Sequence, residues 1–420
     1  MSEVATLRRA GTGQLILLLA GSCLSVLGAV LIAPVLPRMT DHFAGVAGAD
    51  VLVPIVLTVP ALVIGLTAPF AGFIVDAVDR KRLLIAAMIG YAICGTAPLY
   101  LGSLPAIIGS RVLVGLCEAA IMTCCTTLIA DYWSGRRRSR YLGLQTLLAS
   151  VSATIFLGLG GAIGGSGWRA PFWLYTIALL LAVPMALLIW QPTRAADPDL
   201  SSDPASTGTA FAGSAVAAGP AGARRLPPLP WRALRTPCLV TLAGGIVFYA
   251  LIVELSFVLD EVGVKATGTI GALSALMSLA TALAAGSFAR LSAKTPRQLL
   301  PIAFGLAAAG FLILAATASV PVITLGAVVT GAGTGLLLPT LLTWATNNLG
   351  FEERGRGTGL WTGALFIGEF LSPVLLNGLA AGVGGLRPAI GALGVATALL
   401  AVAVLRIVPK SAPALNVTSD

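Results

Sequence analysis

The sequence has little charge. Asp, Glu, Lys and Arg together make up 10% of its 420 residues, against about 25% in soluble domains. So few charges cannot clothe the surface of a water-soluble chain of this length, which excludes an ordinary soluble domain. Histidine occurs once, as His42, in a stretch read as the first outer loop, where a lone imidazole is simply solvated. No glycine-rich loop ends in Lys-Ser or Lys-Thr, which argues against an ATP-driven pump. Nor is there a nucleophile with a base, so an enzyme is not expected. The six cysteines are Cys23, Cys94, Cys117, Cys124, Cys125 and Cys238. All lie in or beside apolar runs, and the adjacent Cys124 and Cys125 have neither redox nor zinc spacing. They read as small buried thiols, with no disulfide framework, no metal site and no cofactor.

What the chain has instead is apolar length. Hydrophobic residues make up 57% of it, with 49 glycines and a mean hydropathy of +0.94. Runs of about 20 apolar residues, the length that crosses a bilayer as a helix, recur twelve times. They fall near 14–36, 50–73, 83–102, 106–130, 141–164, 170–190, 237–258, 268–289, 299–317, 321–345, 357–381 and 386–407. The alternation of an outer-membrane barrel is absent. The expected class is an all-α membrane protein with twelve transmembrane helices. Ala20-Gly21-Ser22 before Cys23 lacks the large aliphatic residue of a lipoprotein box, and the first run continues past it, so a cleaved signal is not expected.

A net charge of +9 suggests nucleic acid until the placement is read. If both termini are cytoplasmic, only Arg38, Arg169, Lys265 and Arg387 of the 26 basic residues lie in outer loops, and Arg111 lies within a span. The rest fall in inner loops and tails. That asymmetry is the positive-inside rule. The basic residues answer to topology in a lipid bilayer, and no nucleic-acid partner is expected.

Residues 192–235 interrupt the pattern with a Pro-, Ala-, Ser- and Gly-rich stretch that has little to bury. They read as a disordered cytoplasmic linker, with PWRALRTP at its end lying on the membrane surface. Six runs precede it, in residues 1–191, and six follow, in 236–420. The two parts echo each other at a shift of 216: Pro105 falls on Pro321, Gly115 on Gly331, Arg138 on Arg354, Arg140 on Arg356 and Gly143 on Gly359. Parallel repeats of six spans imply a pseudo-two-fold axis along the membrane normal and a site between the halves.

The loop after the second run reads GFIVDAVDRKRLL. Its Gly72, Asp76, Arg80 and Lys81 resemble the signature loop of the major facilitator superfamily, with Asp79 where that family usually has Gly. In the fourth run, Arg111, Gly115 and Ala119-Ala120 resemble the family's second motif, with Val114 in place of the usual Gln. Asp131-Tyr132-Trp133 leads into GRRRSRYLG, and GWRAPF follows the fifth run. GTGLWTGALFIGEFLSP (357–373) is similar to the eleventh span of the twelve-span drug:proton antiporter branch. The Gly-Pro of that branch is absent, because Gly158 precedes Leu159. The resemblance covers nearly all of both halves. It implies alternating access by a secondary transporter, and a conformational latch at the inner face built from Gly72, Asp76, Arg80, Lys81, Asp131, Arg136 and Arg140. A plain set of topology-anchoring charges would occupy the same positions.

Of seventeen carboxylates, only Glu118, Glu254 and Glu369 fall within runs. A charge at a helix centre costs about 2.5–3.5 kcal/mol on insertion scales, so each must face protein, water or a partner, or hold a proton. A seven-residue step returns to nearly the same helix face, so Arg111 and Glu118 share a stripe, about 10 Å apart along the axis. In the family that stripe faces the cavity. Arg111, Glu118, Glu254 and Glu369 are therefore the candidates for proton coupling or substrate contact, against a structural role as polar packing groups. The resemblance implies proton-coupled export of small amphipathic organic molecules from the inner membrane, by a monomer. Proton-linked uptake of a metabolite or chelate is the alternative that the missing Gly-Pro favours. A non-transporting scaffold or receptor is the alternative from another class.

Overall fold

The structure is a computed structural model that describes residues 10–71, 78–191, 231–291, 293–347, 349 and 353–409. Among these residues, twelve helical spans are long and apolar enough to cross a membrane. Their main helices are α1 (Thr12–Val30), α2 (Ala49–Thr67), α3 (Arg80–Thr96), α4 (Leu104–Tyr132), α5 (Gly135–Gly164) and α6 (Ile177–Leu188). After the gap come α7 (Trp231–Glu261), α8 (Thr267–Leu291), α9 (Pro296–Ala315), α10 (Val320–Asn347), α11 (Arg354–Val383) and α12 (Leu386–Ile407). All six cysteines are free.

Proline and glycine set the breaks. α1 stops at Val30 and gives way to a 3-10 turn, Ala33–Val35, and a short helix, Leu36–His42. Pro34 is the cause. It has no N–H to bond the Val30 carbonyl, and its ring crowds that carbonyl. Pro105 opens α4 near its first position, where a missing N–H costs nothing. α11 ends at Gly384, which has a φ of 84°, a left-handed conformation that glycine adopts without a Cβ clash. Asp79 is the N-cap of α3, its Oδ1 accepting from the Arg82 N–H at 2.9 Å. The helix keeps a defined start without the family's glycine, because a capping carboxylate satisfies one of its orphan donors.

Two helices begin six residues before their apolar runs. α5 starts at Gly135, so Arg136 to Arg140 are helical. α7 starts at Trp231, so residues 231–235 continue the helix of the seventh span. Residues 192–230 lie outside the described residues.

Buried apolar side chains form two large clusters. One runs from Leu15 to Ile189 and takes in Tyr249 and Val253 of α7. The other runs from Val240 to Val408. Leu180, Leu187, Leu239, Leu283 and Leu399 are exposed, as expected of side chains that meet lipid tails. Lipid tails are as apolar as leucine, so close contact of small residues binds helix to helix. α5 and α8 meet at Gly161 and Gly271, where a Cβ on Gly161 would lie 2.7 Å from the Gly271 Cα. The neighbour there is backbone and cannot step aside. Gly161→Leu is expected to lower the melting temperature in detergent by the equivalent of about 1–3 kcal/mol. Gly158→Leu, on the same helix with open space around it, serves as the control. Equal melting of the two variants would remove the close approach from the forces that hold α5 to α8.

Candidate functional site: a buried arginine and carboxylate at the broken end of α1

Glu118 is the middle residue of α4, and Arg111 lies two turns nearer its start. Both are buried, with relative exposures of 1% and 0%. Their shared stripe packs against α1 and α2. Arg111 Nη2 donates to the Gly28 carbonyl at 3.1 Å, and its Nε donates to the Val56 carbonyl at 3.3 Å. The guanidinium also lies 5.0 Å from the centre of the Tyr175 ring, within cation–π range.

The source of those acceptors is the break in α1. The last-turn carbonyls of a helix lack intrahelical partners and carry partial negative charge. At membrane depth such groups are tolerated only where protein satisfies them. Arg111 does so at Gly28. Tyr249 of α7 does so at the next residue, its hydroxyl donating to the Ala29 carbonyl. One turn earlier, the Tyr91 hydroxyl of α3 donates to the Leu24 carbonyl at 2.7 Å. Two of the guanidinium nitrogens are thus met by backbone, at about 1.5–3 kcal/mol for each hydrogen bond to a charged group, while Nη1 has no hydrogen-bond partner.

Glu118 rests on the same end of α1. A Cβ on Gly28 would collide with its Oε1 and lie 3.2 Å from the Tyr91 hydroxyl. Oε1 has no hydrogen-bond partner. Arg111 and Glu118 form no ion pair; the described pairs are Arg80–Asp131, Arg82–Asp79 and Lys265–Asp260. The sequence places Glu118 toward a cavity, whereas here its carboxyl packs into the hollow left by a glycine. A narrow cleft opens one turn further along α4. Ala119, Met122 and Thr123 line it, facing Ile64 and Ala68 near the end of α2 and Thr362 of α11.

The other two span carboxylates stand apart. Glu369 of α11 is buried at 5% exposure. Its link to the group is Tyr249, which interacts electrostatically with both Glu369 and Glu118. Glu254 is also buried, with Oε1 unpartnered. The charged group that acts on it is Glu261, a repelling carboxylate at the end of the same helix, rather than Arg111 or Glu118.

At the far end of α4, Asp131 pairs with Arg80 at the start of α3. The backbone N–H groups of Arg80 and Lys81 donate to Gln191 Oε1 at 2.9 and 3.4 Å. Tyr132 donates to the Trp190 carbonyl, accepts from the Trp190 N–H at 3.0 Å, and stacks on the Trp190 ring. The start of α3, the end of α4 and the segment after α6 are laced together. Arg136 and Arg140 lie nearby on α5, both exposed. Gly72 and Asp76 lie outside the described residues. A double-mutant cycle on Arg80 and Asp131 is expected to give a coupling of roughly 1 kcal/mol, the upper range for an accessible pair. Additive melting shifts would mean that the pair contributes nothing.

At the opposite end, GWRAPF has a structural explanation. Arg169 Nε and Nη2 donate to the carbonyls of Pro98 and Leu101, both at 3.2 Å, and its guanidinium lies 4.3 Å from the Trp168 ring. The turn before α6 is thereby tied to the turn after α3. His42 lies against the same Trp168, ring centres 5.3 Å apart.

Sequence reasoning missed Gly28, Tyr91, Tyr175, Tyr249 and Gln191. A signal for the tyrosines was present. The chain has six of them, and a tyrosine inside an aliphatic span must find a partner for its hydroxyl.

This arrangement is that of a multi-pass membrane protein with a charge buried among its spans. The family model of the Major Facilitator Superfamily matches residues 18–266 and 238–419, and the chain belongs to that family, as a multi-pass membrane transporter and not an enzyme. Multidrug resistance protein 2 of Bacillus subtilis is 31% identical over 180 residues, 41% of this chain and 43% of that protein. The chain therefore spans under half the length of that relative. Chloramphenicol resistance protein of Streptomyces lividans is 29% identical over 360 residues, 81% of this chain and 82% of that protein. The crystal structure of a bacterial homologue of the human lysosomal transporter Spinster, inward-facing and occupied, shares the fold. Its TM-score is 0.71 at 17% identity, over 94% of this chain and 95% of that one.

Proposed function

We propose that the protein is a proton-coupled exporter of small amphipathic organic molecules across the cell inner membrane. Both termini lie in the cytoplasm. Two six-helix units, 1–191 and 231–420, rock about a central site, with 192–230 as the linker between them. The end that carries Arg80, Asp131 and Gln191 is the cytoplasmic one, as the clustered basic residues there require. Its laced contacts, with Gly72, Asp76, Lys81, Arg136 and Arg140, form the latch that is remade in each cycle. The protein works as a monomer.

The observation that carries this reading is the unpartnered Glu118 carboxyl beside an arginine whose Nε and Nη2 bond backbone carbonyls of α2 and α1 rather than the carboxylate. A carboxyl sealed in protein with no hydrogen bond or ion pair holds its proton; one opened to water releases it. Alternating access switches Glu118 between those settings and so moves one proton per cycle. Glu369 and Glu254 are the reserve candidates, with Glu369 favoured by its link through Tyr249. The resistance-protein names of the relatives support drug-like substrates and outward direction.

Everted membrane vesicles test the proposal. With an acid interior, vesicles carrying the protein are expected to accumulate at least one of ethidium, chloramphenicol and tetracycline, and a protonophore is expected to release it. Accumulation of none of the three, with the protein shown to be folded, would overturn drug export and favour the scaffold reading.

A further inference from the structure

We propose that Tyr249 is a positioning residue that makes closure of the outer end depend on the protonation of Glu118. The inference rests on the coupling role given to Glu118 above. Arg111 and Tyr249 hold consecutive carbonyls at the broken end of α1: Arg111 takes Gly28 from α4, and Tyr249 takes Ala29 from α7. A single peptide unit thus links the charged group to a helix from beyond the linker. Tyr249 is buried at 2% exposure and belongs to the apolar cluster built by α1 to α6, although its own helix is α7. It is a plug from one unit seated in the other.

The break gives α1 an end that can move. Pro34 leaves the Val30 carbonyl without its helical donor, so residues 28–35 are held by side chains rather than by a continuous hydrogen-bond ladder. The titratable and charged groups around this end and Glu118 are few: Arg111, Cys117 and Glu118 from α4, Tyr91 from α3, Tyr175 before α6, Tyr249 from α7 and Glu369 from α11. With Glu118 neutral, Arg111 stays on Gly28, and Ala29 is presented to Tyr249. An ionised Glu118 attracts the guanidinium strongly at low effective dielectric and draws it off the Gly28 carbonyl. The end of α1 then loses its anchor, and the tie to α7 is lost with it. Protonation therefore closes this end and deprotonation opens it. An exporter that takes its proton from outside needs that order.

The test needs neither substrate nor flux. Spin labels go on Ala47→Cys and Ala266→Cys in a background without native cysteines. Both positions are exposed, one before α2 and one between α7 and α8. The short helix Leu36–His42 packs against α7, so the two loops that follow them are close in the closed state. Double electron–electron resonance across a pH series is expected to show short distances in acid and long ones in alkali. Tyr249→Phe keeps the ring and removes only the hydroxyl. It should raise the open-to-closed ratio about three- to tenfold in acid, the weight of one buried hydrogen bond, and flatten the pH profile. Glu118→Gln should give one distribution at every pH, dominated by the short distance. If the unmutated protein responds to pH and Tyr249→Phe superposes on it, the tie is overturned while the role of Glu118 stands. If the unmutated protein ignores pH, both fall.

Discussion

Glu118→Gln is expected to reduce proton-driven accumulation to the level of vesicles without the protein, while insertion and thermal stability stay as they were. Glutamine has the shape of the protonated carboxyl and fits the same hollow over Gly28. No ion pair is lost, because Glu118 makes none, and its Oε1 has no hydrogen bond to forfeit. What disappears is the ability to exchange a proton with water. The variant should still equilibrate a drug down its own gradient, slowly, through the minor population in which the outer end is open. Flux assays with and without an imposed pH gradient separate the two activities. Undiminished uphill accumulation by Glu118→Gln would remove this residue from coupling and pass the role to Glu369 or Glu254.

Arg111→Lys is expected to have the second largest effect, and for a geometric reason. The charge is kept, so the cost of carrying a cation through insertion hardly changes. The fork is not kept. Nε and Nη2 reach carbonyls on two different helices, Val56 of α2 and Gly28 of α1. A lysine ammonium is a single point on a flexible stem and cannot reproduce that span. One of the two hydrogen bonds should be lost, at roughly 1.5–3 kcal/mol for a bond to a charged group. The Gly28 bond is the one at risk, because it holds the free end of a broken helix. Driven transport should fall by tenfold or more, and the protein should still purify folded. Transport equal to that of the unmutated chain would show that the cation alone matters at this position.

The twelve spans were legible because lipid imposes one simple demand, about 20 apolar residues per crossing. The α4 stripe was legible for a related reason. Two charges in a hydrophobic run have few places to go, and their seven-residue spacing puts them on one face. The partners of Arg111 were not legible. They are backbone carbonyls, which every residue carries and no composition marks. Pro34 in LIAPVLP announced the break that frees them, but not which side chain would fill it. The tie from Tyr249 crosses 220 positions of sequence and links two units that the repeat pattern treats as separate. Helix ends were misplaced for a third reason. The first turns of α5 and α7 are polar and leave the apolar region, so hydropathy stops short of them while the hydrogen-bond ladder continues.

The latch divides in the same way. Arg80 and Asp131 were chosen on charge and position, and they meet. Gln191, a neutral residue beyond the sixth span, holds the backbone of Arg80 and Lys81 through one side-chain oxygen, and no charge pattern points to it. Asp79 looked like a departure from the family loop. As an N-cap it does what a helix start needs by another route.

The most direct measurement follows protons rather than drug. Purified protein is placed in liposomes that trap a pH-sensitive dye, and a compound that the vesicle assay shows to be transported is added outside at equal pH. Drug entering down its gradient should drive protons out, so the interior should become alkaline with the unmutated protein and stay constant with Glu118→Gln. Drug entry with no change of internal pH, or the same pH change in both proteins, would contradict proton exchange at Glu118.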